Sequence, residues 1–80
     1  MDITYKTKGV CAKEIQITLE GNLVKQVNFI GGCPGNATGV AKLVAGREMT
    51  EVIERLQGIP CRHRSTSCPD QLALALKEQL

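Results

Sequence analysis

The chain has no tryptophan, one tyrosine and one phenylalanine. Its core must therefore rest on aliphatic side chains, with little of the area that aromatic rings bury. A large excess of charge of one sign is also missing, since Lys and Arg total 10, Asp and Glu total 8, and the formal net charge is +2. A nucleic-acid surface would show clustered basic residues and base-stacking aromatics, so nucleic acid is disfavoured as a partner. No apolar run is long enough to span a bilayer, and Met1-Asp2-Ile3-Thr4-Tyr5-Lys6 has neither the apolar core nor the cleavage site of a secretory signal. A cytoplasmic protein with no membrane partner is expected.

What is present is one domain's worth of chain with four cysteines, Cys11, Cys33, Cys61 and Cys68, in 80 residues. A domain of this size buries about 60% of the surface its unfolded chain exposes, so a metal, disulfides or a partner would add needed stability. In a reducing compartment two structural disulfides are disfavoured, which leaves a metal centre, unpaired buried thiols or a redox pair as the readings of the cysteines.

The first thirty residues read as strands. Glu14 to Leu19 alternates apolar and polar side chains, Gly21-Asn22 is a turn signal, and Leu23 to Ile30 returns. Ile3 to Lys6 supplies a third strand, with Gly9 allowing a bend before Cys11. From Gly31 the period changes: Ala37, Val40, Ala41 and Val44 fall at helical spacing, with Gly46 as a C-terminal stop. The small residues Gly35, Ala37 and Gly39 in that helix would permit close packing on the sheet or close approach of a ligand. Glu48 to Leu56 carries Met49, Val52, Ile53 and Leu56 on one face and stops at Gly58. After Cys68, residues Leu72, Ala73, Leu76 and Leu80 recur at helical spacing, with Ser67 as N-cap and Pro69 and Asp70 in the first turn. Strands first and helices after give an α+β fold: a three-stranded antiparallel meander followed by about three helices, in a single domain over residues 1–80.

Cys33-Pro34 and Cys68-Pro69 share a design, each standing where a loop becomes a helix. Free amides and the helix dipole stabilise negative charge at such a point, and the thiolate is the form that binds a metal. Spacing adds little, because 21 residues lie between Cys11 and Cys33, 27 between Cys33 and Cys61, and 6 between Cys61 and Cys68, with no CxxC pair. His63, between Arg62 and Arg64, is a reserve ligand; its other reading is a solvated polar loop. The glutamates fit surface charge, Glu51 with Arg55 forming an i,i+4 pair. Gly31 to Gly39 lacks the Lys-Ser/Thr step of a phosphate-binding loop, so a nucleotide ligand is disfavoured. No catalytic constellation emerges, and no activity of its own is expected.

Thr66-Ser67-Cys68-Pro69-Asp70, together with Gly31-Gly32-Cys33-Pro34-Gly35-Asn36 and Cys11, resembles the stand-alone branch of the TSCPD-domain family. That domain also occurs at the C-terminus of B12-dependent ribonucleotide reductases. The resemblance implies a metal-binding module, with a link to deoxyribonucleotide synthesis and a protein partner such as a reductase. A more distant resemblance is to U-type iron-sulfur cluster scaffold proteins, whose three cysteines fall at Cys11, Cys33 and Cys68. Where those scaffolds have an acidic residue and a histidine, this chain has Ala12-Lys13 and Ser67, so the fold is expected to carry over rather than cluster delivery. The combined expectation is a zinc or iron-sulfur site formed by Cys11, Cys33, Cys61 and Cys68. The alternatives are a thiol relay between Cys61 and Cys68 serving ribonucleoside-diphosphate reductase, and a cluster scaffold.

Overall fold

The computed structural model describes residues 1–10, 12–31, 34–61 and 65–80, with Pro34 and Asn36 described in backbone only. Strand β1 spans Asp2–Lys6, β2 Ala12–Glu20, β3 Leu23–Gly31 and β4 Arg47–Glu48; helix α1 spans Pro34–Val44, α2 Met49–Leu56 and α3 Cys68–Lys77. The four strands form one antiparallel sheet in the order β1-β2-β3-β4, so the expected α+β meander with three helices is present.

Period-two alternation explains why β2 is a strand with one buried face. Ile15, Ile17 and Leu19 are buried while Gln16 and Glu20 are exposed. Cross-strand rows extend that face, with Ile3 opposite Ile17 and Val27, and Tyr5 opposite Ile15 and Phe29. The alternation breaks at two irregularities in the β2–β3 register, one between Ala12 and Glu14 and one between Thr18 and Leu19. Each leaves an extra residue, Lys13 in β2 and Lys25 in β3, facing solvent. The pairs Ala12 with Ile15, and Val24 with Val27, therefore turn inward although each pair is three residues apart.

Gly21, at φ +61°, makes the left-handed turn between β2 and β3. Gly46, at φ +83°, follows α1 and reverses the chain into β4. The fourth strand goes beyond the sequence expectation: the Gly46 N–H donates to the Val24 carbonyl at 2.7 Å and the Met49 N–H to the Asn22 carbonyl at 2.8 Å. Two residues are too short to show a period. Glu48 accordingly sits in extended backbone before α2 instead of opening the helix, and its side chain makes no cap bond.

The helices cover the sheet's apolar face. Met49, Val52 and Ile53 of α2, Leu72, Ala75 and Leu76 of α3, and Val44 of α1 join Ile15, Ile17, Leu19, Val24 and Val27 in one cluster. Every large side chain fully buried in it is aliphatic, Ile15, Ile17, Leu72, Leu76 and Val24 among them. The two aromatic rings, Tyr5 and Phe29, are only half-buried at its rim. Two expectations need correcting. Leu80 is 74% exposed, because α3 ends at Lys77 and the last residues follow in tight turns, Leu80 N–H to Lys77 carbonyl among them. Gly35 and Gly39 are not packing glycines, since a Cβ built at either would meet nothing within 4 Å.

Candidate functional site: the cysteine-bearing end of the sheet

Two of the four candidate ligands are described. Cys68 is half-buried in the first turn of α3, Cys61 is exposed on the α2–α3 connection, and both are free thiols. Cys11, Cys33 and the reserve ligand His63 lie outside the described residues, as do Arg62 and Arg64. Their described neighbours can be followed. Ala12, which starts β2, pairs with Gly31, which ends β3, and α1 begins at Pro34. The β1–β2 connection is closed by Thr7, whose hydroxyl donates to the Ala12 carbonyl at 2.5 Å.

The same connection is fastened to the start of α3. The Lys8 N–H donates to Gln71 Oε1 at 3.1 Å, and Gly9 lies against Thr66, whose methyl would stand 3.4 Å from a Cβ at that glycine. The start of β2, the end of β3, the start of α1 and the N-terminus of α3 thus share one end of the sheet.

Among the described residues near Cys68 in sequence, Thr66, Ser67, Asp70 and Gln71 are all engaged in holding the loop. Ser67 caps α3, its Oγ accepting from the Asp70 N–H at 3.2 Å, as the sequence anticipates. Asp70 is 8% exposed. Its Oδ1 accepts from the Gly58 N–H at 2.6 Å and its Oδ2 from the Thr66 hydroxyl. Gln71 Nε2 in turn donates to Thr66 Oγ1 at 2.9 Å. Burial of these groups costs nothing in lost bonds, because among the described residues no buried side-chain nitrogen or oxygen lacks a partner. The sequence marks Asp70 only as a first-turn residue. Its contact with Gly58, twelve residues upstream, is tertiary and leaves no mark in local spacing.

Among the described residues no group of three or more His, Cys, Asp or Glu side chains could hold a metal ion. A separate groove of about 450 Å³ runs between β3 and α1, lined by Val27, Phe29, Gly31, Ala37, Thr38 and Lys42. Its lining offers one charged group, Lys42, and no His, Cys, Asp or Glu. Of the helices described, none is long and apolar enough to cross a membrane.

The sequence model of the TSCPD domain matches residues 3–80. The chain belongs to the TSCPD-domain family. Within the five residues that spell the motif, Thr66, Ser67 and Asp70 make the loop and cap bonds, Pro69 stands in the first turn, and the Cys68 thiol remains uncommitted. No curated protein and no solved structure matches the TSCPD chain.

Proposed function

We propose that this TSCPD domain is a small metal-binding module in which Cys11, Cys33, Cys61 and Cys68 hold zinc or an iron-sulfur cluster, acting as an accessory to a protein partner such as a ribonucleotide reductase. What carries the reading is that segments next to three of these cysteines meet at one end of the sheet: Ala12 pairs with Gly31, and Lys8 is bonded to Gln71 three residues after Cys68. The chemistry of the donor set fits, since thiolates favour zinc and iron-sulfur centres over hard cations. A free, half-buried Cys68 at a helix N-terminus is suited to act as one donor. When bound, the metal would cross-link segments distant in sequence and add folding stability to a small core.

Elemental analysis of anaerobically purified protein, read with its visible spectrum, tests the proposal. Colourless protein with stoichiometric zinc identifies a structural zinc site, and a brown charge-transfer spectrum with iron identifies a cluster. Absence of both metals sinks the reading.

A second reading is favoured by one specific observation, the exposure of Cys61 as a free thiol close in sequence to Cys68. In it the two thiols form a reversible pair in a relay that serves a reductase. Thiol titration after mild oxidation separates the two: a closed metal site protects all four sulfurs, and a relay pair loses two.

A further inference from the structure

The connection that carries Cys61 is held at both ends by one side chain. Gly58 lies before Cys61 and Thr66 after it, and the Asp70 carboxylate accepts from the backbone N–H of the first and the hydroxyl of the second. Asp70 itself is fixed in the first turn of α3, where its own N–H is held by Ser67, and it is 8% exposed. Two residues earlier in the same turn stands Cys68.

The network has one direction. Lys8 N–H donates to Gln71 Oε1, Gln71 Nε2 donates to Thr66 Oγ1, and Thr66 Oγ1 donates to Asp70 Oδ2, while Gly58 donates to Oδ1 from the other side. Every hydrogen points toward the carboxylate, which is the terminal acceptor of both branches. Such chains polarise one another, and bonds to an ionised acceptor are stronger than neutral ones. An amide in place of the carboxylate can keep the Gly58 branch only by reversing the other one. With its oxygen on the Gly58 N–H, its NH₂ would donate to Thr66 Oγ1, which already accepts from Gln71, and the Thr66 hydroxyl hydrogen would lose its charged acceptor.

We infer that Asp70 is the positioning residue of the cysteine site: by pinning Gly58 and Thr66 to the helix that bears Cys68, it sets where Cys61 stands relative to Cys68, and through Thr66 and Gln71 it fastens the segment that precedes Cys11. The inference rests on the metal-binding reading of those cysteines. Asp70 is not a ligand in it. Both of its oxygens are occupied by protein donors, and they order the loop before a metal arrives, which lowers the entropic cost of assembling the donors.

The test compares wild-type protein with Asp70→Asn, Thr66→Val and Thr66→Ser, using Zn²⁺ in competition with a chelator and Co²⁺ as a spectroscopic probe of ligand arrangement. Asp70→Asn and Thr66→Val are expected to bind Zn²⁺ about 10–100-fold more weakly, the range for groups that orient ligands. Their stoichiometry stays that of wild type and the Co²⁺ absorption changes in shape. Thr66→Ser, which keeps the hydroxyl, is expected to restore both affinity and spectrum. A purely structural role would lower thermal stability without altering the Co²⁺ spectrum of the folded protein. Wild-type affinity and spectrum in folded Asp70→Asn and Thr66→Val overturn the inference, and Thr66→Val decides alone if Asp70→Asn does not fold. If wild-type protein takes up neither metal, the metal reading fails, and amide exchange in metal-free protein judges Asp70 separately. Exchange at Gly58 and Ile59 that is about tenfold faster or more in Asp70→Asn, with β2 and β3 unchanged, upholds the pinning; unchanged exchange overturns it.

Discussion

The backbone N–H of Lys8 donates to the side-chain oxygen of Gln71 at 3.1 Å across a separation of 63 residues. This single amide joins the first connection of the sheet to the last helix, and its nitrogen passes the link on to Thr66. Gln71 is 4% exposed, whereas its partners reach water more readily, Lys8 being exposed and Thr66 half-buried.

Gln71→Ala is therefore expected to destabilise the fold by about 0.5–1.5 kcal/mol, the net worth of an ordinary intramolecular hydrogen bond whose partners can turn to water. Urea unfolding with an unchanged m-value checks it. A loss below about 0.5 kcal/mol would mean that water replaces the amide without penalty.

Ser67→Ala removes the oxygen that accepts from Asp70 N–H at the start of α3. The expected loss is about 0.5–2 kcal/mol, typical of an N-cap serine. Ser67→Asp, which keeps an acceptor at that position, should recover most of it in the same melting experiment.

Leu72 is 0% exposed and belongs to the cluster that joins α3 to the sheet. Leu72→Ala is expected to cost about 2–5 kcal/mol, a large share of the ~5–15 kcal/mol that holds a domain folded. Leu74, on the same helix and 37% exposed, is the control, and Leu74→Ala should cost far less in the same denaturation series.

Tyr5 has its phenol pushed above the ordinary tyrosine value of 10.0, first by burial and then by the negative charges of Glu78 and Asp70. The fold thus favours the neutral phenol. That contribution to stability is fully present below pH 10.0 and is lost as pH rises through the elevated folded-state value. Tyr5→Phe keeps the ring without the ionisable group, so the difference between the two stability–pH curves should be flat below that region and bend within it. As the chain has one tyrosine, phenolate absorbance reports its titration directly. A titration at or below the ordinary value would contradict the assignment.

What the sequence made legible is what repeats locally. The alternation through Ile15, Ile17 and Leu19, the turn at Gly21, the amphipathic face of α2 and the Ser67 cap all follow from nearest-neighbour rules, and the structure bears each of them out. The features that escaped depend on tertiary pairing. β4 is two residues long and exists because Val24 and Asn22 offer carbonyls to it. The register irregularities at Lys13 and Lys25 shift the alternation without any turn residue to announce them. Asp70 looks like an ordinary first-turn acid because a carboxylate near a helix start already has a local explanation in the dipole. Of the cysteines, Cys61 and Cys68 can be compared with expectation as free thiols, one exposed and one half-buried. Cys11 and Cys33 lie outside the described residues.

The meander and the helix that completes its core stand at opposite ends of the chain. β1, β2 and β3 are finished by Gly31, and their apolar face, partly covered by Val44 of α1 and by Met49, Val52 and Ile53 of α2, is completed only when α3, beginning at Cys68, supplies Leu72 and Leu76. Pairing between sequence neighbours closes the sheet at small entropic cost, yet a bare sheet of this size has too little buried area to persist in water. On the ribosome, then, the strands emerge long before the last part of their cover, and the core stays incomplete until α3 has left the exit tunnel.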